Sequence, residues 1–488
     1  MGQQKQTSQY LILGLGQSGT ATARWCVRQG WAVRLADTRL QFPGQAALRT
    51  ELQQSSAARV QWALGDAALA PEVLDGIDVL VLSPGLSPLE PKVSALLELA
   101  QARGIHCTNE LNLFAQALAN AAQEHHYRPQ LIAITGTNGK TTVATMVAHM
   151  LSDYGEQVQL AGNISPSFLE AWMRIMDRGD YPAVWVLECS SFQLHWLQSL
   201  VPDVATVLNI DQDHLDWHGS AHAYLQDKLR LLQQARRVVM NAAEPELLHY
   251  GQSLGKPGWT FGMSVPAQAA TVGICQQQGQ AFDMFCLRNE QNQFSQLLPV
   301  RSLKVLGAHN VQNALAALAL LGAAGWPVHE MAGALMDYQG EPYRCAWVRT
   351  VGAVQFINDS KGTNVGATVA AIEGMQGTKV LIAGGLAKGQ DFAPLAQAVQ
   401  AGQVRHCVLY GADAPLIAQA LTRQGLPHTV VQTLQQAVPI AFEQTGSADV
   451  VLFSPACASM DQFDNYIQRG QAFVDAVAEL ALEQGEVL

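Results

Sequence analysis

The chain has 488 residues, of which 49% are hydrophobic and only 14% charged, with 29 basic against 40 acidic side chains and a formal net charge of −11. At roughly 150 residues per domain that length predicts about three domains. The hydrophobic content excludes a disordered chain, and the acidic balance disfavours a general nucleic-acid-binding surface, so no nucleic-acid partner is expected.

Strand and helix patterns alternate from the start. Tyr10 to Leu13 is an apolar run ending in a glycine loop, a helical segment begins at Ser18, and WAVRLAD and VLVLSPG follow, each closed by a turn signal. A second series starts at QLIAITG, includes AVWVLECSS and VATVLNID, and closes at the turn-rich stretch 339–344. Within it, 262–300 is Gln-rich and weakly patterned, and reads as irregular or antiparallel edge structure. A third series holds VQFINDS, KVLIAGG, HCVLYG and DVVLFSP. This is the grammar of α/β proteins with parallel sheets; the boundaries fall at 1–127, 128–342 and 343–488. The eight cysteines form no C-x-x-C pair, the first residues lack a signal-peptide pattern, and the longest apolar stretch, 314–324, is too short to span a bilayer. A reduced, cytoplasmic protein without a membrane span is expected.

Gly14-Leu15-Gly16-Gln17-Ser18-Gly19 joins the first strand to the first helix, and Asp37 ends the next strand. Glycines permit close backbone approach, so helix-terminal N–H groups can face a diphosphate while the acid binds a sugar or base. The loop alone fits a nicotinamide dehydrogenase as well as another nucleotide binder.

The second loop is more specific. Leu131 to Ile134 runs into Thr135-Gly136-Thr137-Asn138-Gly139-Lys140-Thr141-Thr142 and then a helical run. Ile134 stands where the long P-loop pattern has its earlier glycine, yet the working parts remain: a backbone cradle, a lysine for the β/γ-phosphates and a hydroxyl for Mg²⁺. With this motif the sequence resembles the Mur ligase family, the ATP-dependent amide-forming enzymes of peptidoglycan precursor synthesis.

Further motifs carry the resemblance through the chain. Glu188 ends a strand before Cys189-Ser190-Ser191-Phe192, and 209–219 packs Asp211, Asp213, Asp216, His214 and His218 into one loop. Zinc is one reading of that loop, but oxygen-rich composition and the absence of thiolates favour Mg²⁺. Lys228 follows in a helical segment, and His309-Asn310-Val311-Gln312-Asn313 opens another. In the third series, Asn358-Asp359-Ser360-Lys361-Gly362-Thr363, Gly384-Gly385-Leu386-Ala387-Lys388 and Ser454 to Tyr466 each lie at a strand end. Two lysines and several hydroxyls there suit an amino acid carrying two carboxylates. These three motifs match the D-glutamate-adding branch of the family. Tyr343 departs from the His common before the family's Arg, and Tyr466 from a common Phe.

The resemblance implies three α/β domains: a Rossmann-like N-terminal domain, a central P-loop ATPase-like domain with a mainly parallel sheet, and a Rossmann-like C-terminal domain. It implies ATP-dependent addition of D-glutamate to UDP-N-acetylmuramoyl-L-alanine through an acyl phosphate. Gly136 to Thr142, Asn310, Asn313, Arg344 and Asp359 would bind ATP. Gly14, Leu15, Gly16, Gln17, Ser18, Asp37, Thr38, Ser83, Asn163 and His214 would bind the UDP substrate. Lys361, Thr363, Lys388, Ser459, Met460 and Tyr466 would bind D-glutamate. Thr141, Glu188, His214 and Lys228 would hold two Mg²⁺ or Mn²⁺ ions, Lys228 as a carbamate made with CO₂, and Lys140, Glu188, His214 and Lys228 would be catalytic. A monomer with substantial domain motion is expected.

Overall fold

Residues 8–54, 59–276, 283–305, 307–375, 377–387, 389–446 and 449–486 are described by a computed structural model of the chain. The apolar runs become strands of three separate sheets. The first contains β1 (Gln9–Leu13), β2 (Ala32–Asp37), β3 (Val60–Leu64), β4 (Val79–Leu82) and β5 (His106–Thr108), ordered β3-β2-β1-β4-β5 and parallel throughout. The order reverses between β1 and β4, so the carboxyl ends of these two strands open a crevice, the usual ligand position in such sheets. Gly14 and Ser83 follow them directly.

The second sheet contains β6 (Gln130–Thr135), β7 (Val158–Gly162), β8 (Val184–Glu188), β9 (Val204–Val207), β10 (Arg237–Asn241), β11 (Gly258–Phe261), β12 (Thr271–Gln276), β13 (Asp283–Arg288) and β14 (Phe294–Pro299). Its order is β14-β13-β12-β11-β10-β9-β6-β8-β7, parallel from β12 to β7, with β13 and β14 antiparallel at one edge. The Gln-rich segment therefore supplies the antiparallel edge, while its residues 277–282 lie outside the described residues. The long apolar stretch is a helix, Ala308–Ala323, whose residues Ala314 to Ala323 are all buried. Small residues let it pack closely, and Gly322 lies against the ring of Trp259. Among the described residues no helix is long and apolar enough to cross a membrane.

The third sheet contains β15 (Ala346–Val351), β16 (Val354–Asn358), β17 (Lys379–Gly384), β18 (Val404–Tyr410), β19 (His428–Val430) and β20 (Val450–Phe453). The order is β15-β16-β20-β17-β18-β19, parallel except for the β15/β16 pair. Strands β3, β5, β15 and β19, which the sequence patterns did not single out, are short or carry polar residues at sheet edges, where burial on both faces is not required. One apolar cluster joins residues of the first and second sheets, whereas the third sheet has its own, and Lys361 beyond β16 meets Thr141 beyond β6.

Candidate active site

The first glycine loop is braced from within its own sheet. Leu15 N donates to Asp37 Oδ2 at 2.7 Å, and Arg39 donates to both Asp37 oxygens at 2.8 Å. Burial opposes the charge on Asp37, but Arg39 and the Leu15 amide overcome it and hold the carboxyl below its ordinary value. Ser83 Oγ donates to Gly14 O at 2.5 Å. Gly14 has φ +88°, and a Cβ at Gly19 would strike the Gly14 carbonyl, so both glycines are required by the turn. Gln17 and Ser18 line a large cavity, whereas Gly14, Leu15, Gly16, Asp37, Thr38 and Ser83 lie outside its lining, with Gly16 and Thr38 exposed.

The second loop is braced from its own sheet and from the helix Ala221–Gln234. Asn138 N donates to Asn209 Oδ1 at 2.8 Å while Asn209 Nδ2 returns a bond to Asn138 O at 3.2 Å. Thr137 Oγ1 and the Tyr224 hydroxyl are 2.9 Å apart. Gly139, at φ +80°, leads into the helix Lys140–Asp153, and a Cβ there would stand 2.5 Å from Asn313 Oδ1. Asn313 is in turn bonded to Asn310 at 3.1 Å. Lys140 Nζ donates to the carbonyls of Gly136 and Thr137, both at 2.8 Å, and burial lowers its pKa.

Glu188 closes β8 and is 1% exposed. Its Oε1 accepts from Asn163 Nδ2 at 2.8 Å, and its Oε2 is buried without a hydrogen-bond partner. A buried carboxylate oxygen left unpaired in the wall of a cavity that Thr141 also lines suits a hard divalent cation such as Mg²⁺. Among the described residues no three His, Cys, Asp or Glu side chains form a metal cluster by themselves, so such an ion would also draw on hydroxyl, water and phosphate oxygens.

The loop 209–219 separates its two histidines. His214, in left-handed conformation at φ +53°, lines the cavity and packs its ring 4.7 Å from that of Phe192. His218 is a brace: Nδ1 lies 2.9 Å from Asp227 Oδ2 and Nε2 3.0 Å from Ser191 Oγ. Asp227 also bonds His195 at 2.8 Å. Desolvation works against its charge, yet the two imidazoles hold its pKa well below the carboxylate range. Next in the chain, Lys228 is 1% exposed and donates to Gly136 O at 2.8 Å and Thr135 Oγ1 at 3.3 Å. Desolvation and Lys140 lower its pKa strongly. It lies behind the second loop, outside the cavity lining.

The third sheet brings its own edge to the same place. Lys361 Nζ donates to Thr141 Oγ1 at 3.0 Å and sits 5.1 Å from the centre of the Tyr466 ring. Burial, with Arg344 as the second cause, brings its pKa down to about 7. Asp359 accepts from Ser454 Oγ at 2.7 Å and Cys345 N at 3.2 Å, and burial raises its carboxyl to about 6. Arg344 Nε is buried without a hydrogen-bond partner. Arg469, fully buried, stitches Ser360 to the Cys457 carbonyl and thereby joins two of the three predicted motifs. Ser459 is buried and Met460 70% exposed, both outside the cavity lining. Lys388 lies outside the described residues.

These edges enclose one cavity of about 780 Å³. Thr137 to Thr142, Asn163, Glu188, His214, Asn310, Asn313, Arg344, Asp359, Lys361, Thr363 and Tyr466 line it together with Gln17 and Ser18. Gly136 stands behind it, with its carbonyl turned to Lys140 and Lys228.

Comparison with known proteins gives this arrangement a context. Residues 8–108 match the Mur ligase MurD-like N-terminal domain, 134–321 the Mur ligase middle domain, and 343–457 the Mur ligase glutamate ligase domain. A UDP-N-acetylmuramoylalanine--D-glutamate ligase of Bordetella avium is 46% identical over 98% of this chain and 97% of its own. The chain belongs to the Mur ligase family. A Cupriavidus metallidurans protein with the same name as the Bordetella one is 41% identical, covering 97% of both chains. Solved Mur ligases share the fold at lower identity. A UDP-N-acetylmuramate–alanine ligase from Thermotoga maritima aligns with TM-score 0.58 and 20% identity over 97% of this chain and 99% of its own. MurF from Acinetobacter baumannii aligns with TM-score 0.60 and 17% identity over 97% and 93%.

Within this Mur ligase, three residues gain a place that sequence patterns did not assign. Asn209 clamps the second loop, Asp227 anchors the helix of Lys228, and Glu110 is a buried carboxyl between two sheets. The only local signal for Asp227 and Glu110 is a charge within an otherwise apolar helical face, which sequence alone does not distinguish from a solvated position.

Proposed function

We propose that this Mur ligase adds D-glutamate to UDP-N-acetylmuramoyl-L-alanine at the expense of ATP, as a step of peptidoglycan precursor synthesis, acting as a cytoplasmic monomer. The observation that carries the reading is the meeting of Lys361 with Thr141 at 3.0 Å inside a cavity that Gln17 and Ser18 also line. Three units, taken as 1–127, 128–342 and 343–488, thus face one space, as a reaction joining three substrates demands.

In this assignment Gln17 and Ser18 receive the UDP substrate, with Gly14, Leu15, Gly16, Asp37, Thr38 and Ser83 shaping the edge behind them. Asn163 and His214 carry it toward the centre. The loop Gly136–Thr142, Asn310, Asn313, Arg344 and Asp359 hold ATP, with Lys140 at the transferred phosphoryl group. The alanyl carboxylate attacks the γ-phosphorus, the bond to ADP breaks, and an acyl phosphate forms. Lys361, Thr363, Lys388, Ser459, Met460 and Tyr466 orient D-glutamate, whose amine then attacks the acyl carbon, and phosphate leaves as the amide forms. Lys140, Lys361 and Arg344 offset the negative charge that develops on oxygen in both steps.

Thr141, Glu188, His214 and Lys228 would hold Mg²⁺, or Mn²⁺ in its place, which supplies neutralisation of phosphate charge. Burial and the nearby Lys140 lower the pKa of the Lys228 amine, which favours the reaction with CO₂ that a carbamate at this position needs. A Lys228→Ala variant is then expected to lose activity and regain part of it with a short carboxylic acid.

The decisive experiment measures phosphate release with UDP-N-acetylmuramoyl-L-alanine across a panel of D- and L-amino acids. Release that depends on both the UDP substrate and D-glutamate is expected. Turnover with L-amino acids but not D-glutamate overturns the reading.

A further inference from the structure

Glu110 is a buried carboxyl that the steps above do not use. It opens the helix Glu110–Glu124 just after β5, and it is 3% exposed. Its Oε1 accepts from Leu169 N at 2.9 Å, in the first turn of the helix Phe168–Arg178 beside the second sheet. Ser167 holds the N-cap position of that helix, yet its hydroxyl makes no capping bond. Glu110 therefore caps the helix from another domain, at the end where a carboxylate is favoured.

The second oxygen, Oε2, is buried. Burial raises the carboxyl's pKa and outweighs hydrogen bonding by the Ser167 and Ser18 hydroxyls, which lowers it. Both serines line the cavity. The loop leading to Ser167 begins with Asn163, which is bonded to Glu188. Glu110 thus bonds the helix that follows the loop holding Glu188, and the helix Gln17–Arg28, which carries Ser18, packs against both that helix and Glu110's own.

We propose that Glu110 is a positioning residue that spans Ser18 and the start of the helix Phe168–Arg178, so that the UDP-substrate edge and the Asn163 loop keep one register. The inference rests on the function proposed above and names a residue for its first substrate. Reach matters here: a Gln side chain keeps an oxygen for Leu169 N and gains an N–H for a serine hydroxyl, whereas Asp is one methylene too short.

The test uses the full chain, with calorimetric binding of UDP-N-acetylmuramoyl-L-alanine and steady-state KM values for all three substrates. Glu110→Gln is expected to bind within about threefold of the wild type. Glu110→Asp and Glu110→Ala are expected to weaken that binding about tenfold, a change of about 1.4 kcal/mol, with the KM for ATP changed less than about twofold. Glu110→Asp and Glu110→Ala binding like the wild type overturns the inference, as does a parallel rise in all three KM values, which marks general structural damage. If Glu110→Ala does not fold, the Gln and Asp variants decide: Asp binding better than Gln overturns it. A wild-type chain that binds no UDP substrate overturns the proposed function itself.

Discussion

The two glycine loops share the strand–loop–helix form but differ in what holds them. The first is fixed by Asp37 and Ser83 from its own sheet. The second is likewise fixed by Asn209 from its own sheet but also by Lys361 of the third domain, 220 residues from its partner Thr141. A loop braced locally keeps its shape wherever the other domains stand, whereas a loop braced across domains reports their arrangement. Substrate order and domain closure can then be read as two properties of two similar loops.

Substitutions can break that contrast. The largest effect is expected from Lys140→Ala, a loss of about 10³-fold in kcat/KM by phosphate release, of the size found on removing a donor from a transition-state anion site. Glu188→Gln follows, with about 100-fold lower activity and a Mg²⁺ requirement shifted to higher concentration, readable by metal titration. Lys140→Ala is expected to change binding of the UDP substrate to the full chain by no more than about twofold, since the first edge has its own supports.

Asp359 gives a pH test of the cross-domain wall. Its folded value of about 6 exceeds the ordinary 3.8, so the folded state holds a proton that the unfolded chain has released. Stability therefore falls as pH rises through this window, by on the order of 2 kcal/mol, and stays lower above it. Asp359→Asn is expected to flatten that dependence in thermal unfolding measured from pH 4.5 to 7. The smallest effect is expected from Asp37→Asn, about 1 kcal/mol, seen as a several-fold higher KM for the UDP substrate with the KM for ATP unchanged. A change in the ATP value would erase the distinction between the loops.

What could be read in advance follows the same division. The motif Thr135 to Thr142 was legible because its glycines, lysine and hydroxyls are neighbours in the chain. Asp37 was legible as an acid at a strand end, but its engagement with Leu15 N was not. Lys361 was recognised by its motif, while its contact with Thr141 depends on how two domains face each other, which no local pattern encodes. Composition alone did not distinguish the histidines of the 209–219 loop; the family resemblance singled out His214, and the bonds of His218 to Asp227 and Ser191, from other segments, show what the second one does.

The left-handed residues around the cavity have a consequence for how such a chain evolves. His214, Tyr343 and Cys345 all adopt positive φ without being glycine, each at a cost of roughly 1 kcal/mol or more. Selection for thermal endurance alone would install glycine at these positions. A laboratory search for hardier variants that scored only survival on heating would therefore be drawn toward the rim of the cavity, and would trade away His214 before it touched the apolar cores.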